Sequence, residues 1–264
     1  MIFLISKKKI WIICIVILVI IMMFFLYWLV RTPETFAIEL AKNSVISDEF
    51  KDKIDALTAG KEKIAYLTFD DGPNQSVTPK VLDILKEENV KATFFVIGKY
   101  VEEYPEIVKR AYEEGHYIAN HGYDHNNATL YKSEKSFMEE IQKTDLAIGN
   151  AINIENYCSH IFRFPNGYMS SQNKDKKKQA ILLLSKMNYT YIDWNCLNND
   201  SMKKYSNEQL LNNLKKSSKD KNTLVVLMHD TKDVSNSSNV LKASINYLKS
   251  QGYTFKNFYD LDDV

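Results

Sequence analysis

Cysteine is scarce in this chain, with 3 in 264 residues. Cys14 lies inside a long apolar run, which leaves Cys158 and Cys196. Cys158 precedes one expected strand and Cys196 follows the next. The two are therefore expected at opposite ends of adjacent parallel strands, more than ~15 Å apart at ~3.3 Å per residue. A disulfide between them is not expected, and two cysteines alone make a poor zinc site. An excess of charge is also lacking: 34 Lys and Arg against 33 Asp and Glu leave a formal net charge of +1. No global field then recruits nucleic acid as a partner. GxGxxG and Walker-type phosphate loops are missing too, which argues against a nucleotide-binding open sheet. A neutral substrate held by local contacts fits better.

What the chain does have is one long uncharged run from Ile10 to Val30, rich in Ile, Val, Leu, Met, Phe and Trp. As a helix it would be about 30 Å long, enough to cross the hydrocarbon layer. Lys7, Lys8 and Lys9 precede it, so the positive-inside rule keeps residues 1–9 in the cytoplasm and the rest outside the cell. Trp11, Tyr27 and Trp28 suit the two membrane interfaces. A cleaved signal peptide is the competing reading, but the run is long for one and no small-x-small site follows it cleanly. The expected organisation is a cytoplasmic terminus over 1–9, an anchor over 10–30, a stalk over 31–62 with a short amphipathic helix near Phe36 to Lys42, and a folded domain over 63–264.

Within that domain, apolar runs alternate with amphipathic stretches. Ile64 to Phe69, Ala92 to Ile97, Tyr117 to Ala119, Ile161 to Phe164, Tyr189 to Asn195 and Leu224 to Met228 read as strands. Helices are expected after Thr78-Pro79, with Thr78 as the cap, after Pro105, from Ser133 to about Gly149, over Ile181 to Met187, after the capping box Ser206 to Gln209, and over Val240 to Ser250. Alternation of this kind means parallel strands, in an open sheet or a barrel. Polar residues gather at the strand ends: Asp70 and Asp71, His121 and His125, Arg163, Asp200, His229. In a barrel those ends form one rim, so the expected fold is an α/β, distorted (β/α) barrel of about seven repeats behind a transmembrane helix.

The focus is Asp70-Asp71-Gly72-Pro73, where an apolar strand ends in two adjacent carboxylates. Alone, that is an ordinary solvated turn. Two neighbouring carboxylates can also divide their work, one holding a metal and one serving as a base. His121 and His125, four apart around a glycine, can grip one ion from a tight loop. With one Asp they complete a two-His, one-carboxylate set that leaves coordination open for catalysis. A glycosidase pair is disfavoured, because adjacent carboxylates cannot flank a glycosidic bond and the histidines would have no task. His116 reads as a packing residue and His160 as exposed.

Thr68-Phe69-Asp70-Asp71-Gly72-Pro73, His121-x-x-x-His125, Arg163-x-Pro165-x-Gly167 and Leu227-x-His229 follow one another in the order seen in the polysaccharide deacetylases, carbohydrate esterase family 4, which this chain resembles from about Lys63 onward. Lys91 to Gly98 and Gly115-His116 are similar as well. The resemblance implies that Asp71, His121 and His125 hold a divalent metal, usually Zn2+, that Asp70 is the general base paired with Arg163, and that His229, oriented by Asp200, is the general acid. It places a backbone N–H near Asn166 against the oxyanion, and Tyr168 and Leu227 beside the substrate. Ser201 stands where the family usually has Trp, and Asn166 where an aromatic is common. The implied activity is hydrolysis of N-acetyl groups on a cell-wall glycan, most naturally N-acetylglucosamine of peptidoglycan or a chitin-like polymer. An O-acetyl esterase, a deacetylase of another surface polysaccharide, or a non-catalytic glycan-binding barrel are the alternatives.

Overall fold

In the computed structural model, residues 17–23, 47–202, 204–231 and 237–261 are described. Of the expected anchor only 17–23 fall among them, as a helical stretch with exposed side chains. The rest of 10–30, the helix expected near Phe36 to Lys42, and Cys14 lie outside the described residues. Among the described residues no helix is long and apolar enough to cross a membrane.

The domain begins earlier than expected. Phe50, Ile54 and Leu57 recur at helical spacing in α1 (Asp48–Ala56) and the 3-10 turn Leu57–Ala59, and all three are buried. Ser47 caps α1 by accepting a bond from the Phe50 N–H. This part of the stalk is thus packed into the core.

Strands and helices then alternate: β1 (Ile64–Asp70), α2 (Thr78–Glu87), β2 (Thr93–Val96), α3 (Gly98–Glu103), α4 (Pro105–Glu113), β3 (Tyr117–Asn120), α5 (Asn127–Leu130), α6 (Glu134–Ile152), β4 (Ile161–Phe162), α7 (Lys174–Lys186), β5 (Thr190–Tyr191), β6 (Cys196–Leu197), α8 (Asn207–Ser218), β7 (Thr223–His229), α9 (Ser237–Ser250), β8 (Thr254–Lys256) and a 3-10 turn, Phe258–Leu261. All pairings are parallel, in the order β5-β4-β3-β2-β1-β7-β6, with β8 on β1. One edge of β1 carries β7 along its whole length, and the other is shared by β8 at Ile64–Tyr66 and β2 at Thr68–Asp70. The sheet curves into a half-barrel. Its end strands, β5 and β6, are joined by residues 192–195 alone, and five Cα steps reach at most about 18 Å.

Cys158 and Cys196 are free, as expected, but they sit beside β4 and on β6, toward opposite ends of the strand order and not on adjacent strands. Thr78 is not the cap of α2. Val77 occupies that place, and the Thr78 hydroxyl is committed to Asp230. The expected strand over Tyr189 to Asn195 shrinks to Thr190–Tyr191, because its second half leaves β4 to cross toward β7.

The period-2 alternation of β1 positions the site. Ala65, Leu67 and Phe69 face the surrounding helices, within the cluster that holds Val81, Leu82, Ile148 and Leu241. Tyr66, Thr68 and Asp70 face inward. Tyr66 packs with Phe95, Tyr117, Ile161, Ile192, Val225, Phe50, Ile54 and Phe258, so α1 and the C-terminal turn fill the barrel end where the strands begin. Polar chemistry is left to the end where the strands finish.

Candidate active site

Asp70 ends β1 in register with His229 at the end of β7 and Phe95 on β2. Asp71 then takes a left-handed conformation, φ 72°, which Asp tolerates better than most residues. The turn is fastened by Ile97 N–H to the Gly72 carbonyl at 2.9 Å and Asp230 N–H to the Asp70 carbonyl at 3.2 Å. Residue 72 must be glycine, since a Cβ there would lie 2.3 Å from the Asp230 carboxyl. That carboxyl, fully buried, accepts from Thr78 Oγ1 at 2.6 Å, and burial pushes its pKa up to about 7. Nothing in the local sequence marks Asp230 and Thr78 as the supports of this turn, although the His229-Asp230 pair at a strand end was visible.

The two neighbouring carboxyls meet different partners. Asp70 Oδ1 accepts from Arg163 Nη1 at 2.8 Å. Arg163 is fully buried, and its other donors reach Thr68 Oγ1 at 2.7 Å, the Ile192 carbonyl at 3.0 Å and the Asp193 carbonyl at 3.2 Å. Its guanidinium carbon lies 3.9 Å from the centre of the Phe95 ring. A buried ion pair is tolerable only when its remaining donors find acceptors, and four of the five guanidinium N–H groups have one here.

Asp71 Oδ1 is buried yet makes no hydrogen bond of ordinary geometry. It lies 3.4 Å from His121 Nε2 and 3.3 Å from His125 Nε2. His121 Nδ1 sits 2.8 Å from the Arg163 carbonyl, so that nitrogen donates and Nε2 is left with its lone pair toward Asp71. One ligand atom from each of Asp71, His121 and His125 lies within 4.8 Å of the others. An orphaned carboxylate oxygen facing two imidazole nitrogens fits a divalent cation with nitrogen and oxygen ligands. Burial opposes the charge on Asp71, but the His121 contact and, when those rings are protonated, the charges of His121, His125 and His229 outweigh it and hold the carboxyl well below its usual range.

The histidine loop has its own supports. Asn120 Nδ2 donates to the Ile141 carbonyl and to Asp145 Oδ1, while its Oδ1 accepts from Gly122 N–H at 2.9 Å. Glu140 Oε2 accepts from the N–H groups of Tyr123 and Asp124 at 2.8 and 3.2 Å. On the opposite side, His229 Nδ1 is 2.7 Å from Asp200 Oδ1, and Asp200 Oδ2 accepts from the His229 N–H at 2.9 Å and from Ser237 Oγ. The structure therefore brings Asp70, Asp71, His121, His125, Arg163, Asp200 and His229 to one rim.

The remaining expected residues divide. Asn166 is exposed, with φ 63°, on the loop after Arg163. Leu227 lies on β7 opposite Thr68, two residues before His229 and on the same inner face. Tyr168 belongs to an aromatic cluster, its ring centroid 5.7 Å from Phe164 and 4.9 Å from Tyr191. His116 accepts from the Ala92 N–H, and burial lowers its pKa to about 4, as suits a packing residue. His160 is half-buried against the Asn188 carbonyl and Cys158, not exposed as expected.

The model of the polysaccharide deacetylase family matches residues 58–192. The chain belongs to that family. Among curated relatives, it is 38% identical over 202 residues to YheN of Bacillus subtilis, 32% over 212 residues to the peptidoglycan-N-acetylmuramic acid deacetylase PdaA of the same organism, and 36% over 203 residues to the peptidoglycan-N-acetylglucosamine deacetylase PgdA of Listeria monocytogenes. These matches cover 74%, 80% and 77% of this chain, and 66%, 76% and 40% of the relatives. A Streptococcus mutans CE4 esterase structure superposes with a TM-score of 0.71 at 28% identity, covering 82% of this chain and 93% of that one.

Within this deacetylase-family site, the His229–Asp200 pair carries a raised imidazole pKa. Burial disfavours the imidazolium, but the Asp200 hydrogen bond and charge, with Asp70 and Asp71 behind them, raise the pKa to about 9. A cation held by Asp71 would cancel that carboxylate's share and leave the Asp200 bond in place. A proton donor at His229 is charged below its pKa and lost as pH rises through it. In Asp200→Asn, desolvation is left less opposed, so the pKa falls and the alkaline limb of kcat moves at least one unit toward neutrality. Initial rates of acetate release from pH 6 to 10 for both proteins check this; coincident limbs would contradict it.

Proposed function

We propose that this protein is a membrane-anchored, metal-dependent deacetylase that hydrolyses N-acetyl groups on cell-wall glycan outside the cell, with N-acetylglucosamine of peptidoglycan the preferred unit. The observation that carries this reading is the division of the two adjacent carboxyls. Asp70 is held by Arg163, while Asp71 turns an unpaired oxygen toward the Nε2 atoms of His121 and His125. Amide hydrolysis needs an activated water, a place for oxyanion charge and a proton for a poor leaving group. Each has a candidate here.

Asp71, His121 and His125 would hold the ion, Zn2+ best matching the ligand types, and it would supply Lewis acidity to the water and to the acyl oxygen. Asp70, whose Oδ2 lies 3.8 Å from His121 Nε2, faces the same space and takes the proton of the attacking water. Arg163 fixes the orientation of Asp70 through the opposite oxygen. The Asn166 N–H donates toward the acyl oxygen as negative charge gathers there. His229, held through Nδ1 by Asp200, gives its Nε2 proton to the departing amine. Leu227 offers an apolar wall beside these groups.

The uncharged run over 10–30 supports anchoring, and the names of PdaA and PgdA support peptidoglycan as the polymer. They differ on the sugar, and the esterase name of the S. mutans relative favours O-acetyl groups as a second reading. Full-length protein in detergent, incubated with purified peptidoglycan, tests both. Acetate release accompanied by free-amine glucosamine in the wall hydrolysate is the expected result. Free-amine muramic acid alone would move the preference to that sugar, and acetate without new amines would favour the ester reading.

A further inference from the structure

Asp193 has no part in the roles assigned so far, yet its carboxylate makes two backbone contacts on the loop that follows Arg163. Oδ1 accepts from the Tyr168 N–H at 2.8 Å, and Oδ2 accepts from the Met169 N–H at 3.0 Å. The Gly167 N–H is turned inward to the Phe164 carbonyl at 2.7 Å, and Pro165 has no N–H to offer. Among the described residues, Asn166 therefore carries the one N–H between positions 165 and 169 with no protein acceptor. It belongs to an exposed residue with a left-handed backbone.

The opposite side of the loop is held by Lys177, almost fully buried at 1% exposure. Its ammonium donates to the Gly167 carbonyl and to Ser170 Oγ, the latter at 2.7 Å. Under the loop lies Trp194: a Cβ on Gly167, at φ 78°, would stand 2.8 Å from a carbon of that ring. The stretch 192–194 also gives two carbonyls to Arg163, at 3.0 and 3.2 Å. One segment thus orients the side chain that holds Asp70 and the loop that carries Asn166.

We propose that Asp193 is a positioning residue, assisted by Lys177, which fixes this loop so that the Asn166 N–H alone is aimed at the acyl oxygen during deacetylation. The inference rests on the deacetylase reading above and extends it to residues outside the family motifs. A donor aimed in advance at developing charge is worth more in the transition state than in the ground state. Loosening the loop should therefore lower kcat and spare KM, whereas a merely structural residue would lower the amount of folded protein and leave turnover per folded molecule unchanged.

Full-length Asp193→Ala is expected to lose on the order of 10- to 100-fold in kcat, with KM within about threefold of wild type. Asp193→Asn, which keeps one acceptor oxygen, should fall between the two. Zinc affinity by titration should stay unchanged, because Asp193 touches none of the three ligands. Hydrogen exchange adds a readout that needs no turnover: the Tyr168 and Met169 amides should be protected in the wild type and exchange much faster in either variant. Wild-type kcat in Asp193→Ala, a loss carried by KM, or unprotected amides in the wild type would each overturn the proposal. If Asp193→Ala does not fold, Asp193→Asn and the wild-type exchange rates decide. A wild type that releases no acetate but protects both amides would sink the deacetylase reading and leave the clamp standing as architecture.

Discussion

Asp70→Asn should abolish practical turnover, lowering kcat by about 10²- to 10⁴-fold, the range for loss of a positioned general base. The substituted side chain can still accept from Arg163 Nη1, now 2.8 Å from Oδ1, so the local geometry should survive. What disappears is a basic oxygen facing His121 and the space beside it. Asp71→Asn should act differently. It removes charge from the oxygen shared with His121 and His125, so its loss of activity should come with weaker zinc binding. Parallel zinc titrations and acetate assays separate the pair: activity lost with affinity retained for Asp70→Asn, both lost for Asp71→Asn. Equal zinc affinities in the two variants would contradict the division of labour between the neighbouring carboxyls.

The second large effect concerns stability. Arg163→Leu leaves Asp70 buried without its cation and deprives Thr68 Oγ1 and two carbonyls of their donors. Removing one partner of a buried pair typically costs about 3–5 kcal/mol. For a domain of this size that lowers Tm by about 6–20 °C, at ~2–4 °C per kcal/mol. The double variant Asp70→Asn/Arg163→Leu should recover part of the loss, because the stranded carboxylate has gone. Thermal unfolding of the single and double variants checks this. A double variant destabilised by the full sum of the two singles would show that the pair is not coupled.

Much of the site could be read along the chain because its residues stand where periodic patterns stop. The apolar run of β1 ends at Asp70-Asp71, that of β7 at His229, and the register of the two strands sets Asp70 beside His229. The capping box at Ser206 and Gln209 is present as expected, since both its bonds are local. Features made by distant parts of the chain were hidden. Asp193 holds backbone 25 residues away, Glu140 holds the histidine loop from α6, and Asp230 supports the turn through Thr78, 152 residues away. No local period announces a buried carboxylate whose partners are backbone N–H groups elsewhere. The half-barrel's narrowing at 192–195 is hidden for the same reason, because a strand that switches partners keeps its apolar pattern. α1 is a different case: Phe50, Ile54 and Leu57 carried the helical spacing, but short apolar marks in a polar connector do not reveal the barrel end they fill.

The most direct measurement is acetate release by the full-length protein from N-acetylated glycan, before chelation, after it, and after restoring Zn2+. The account predicts activity that disappears with the chelator, returns with zinc in the wild type, and stays absent in His125→Ala, whose ring faces the unpaired Asp71 oxygen at 3.3 Å. Undiminished turnover after complete metal removal, or no acetate from any glycan with zinc bound, would contradict the central claim.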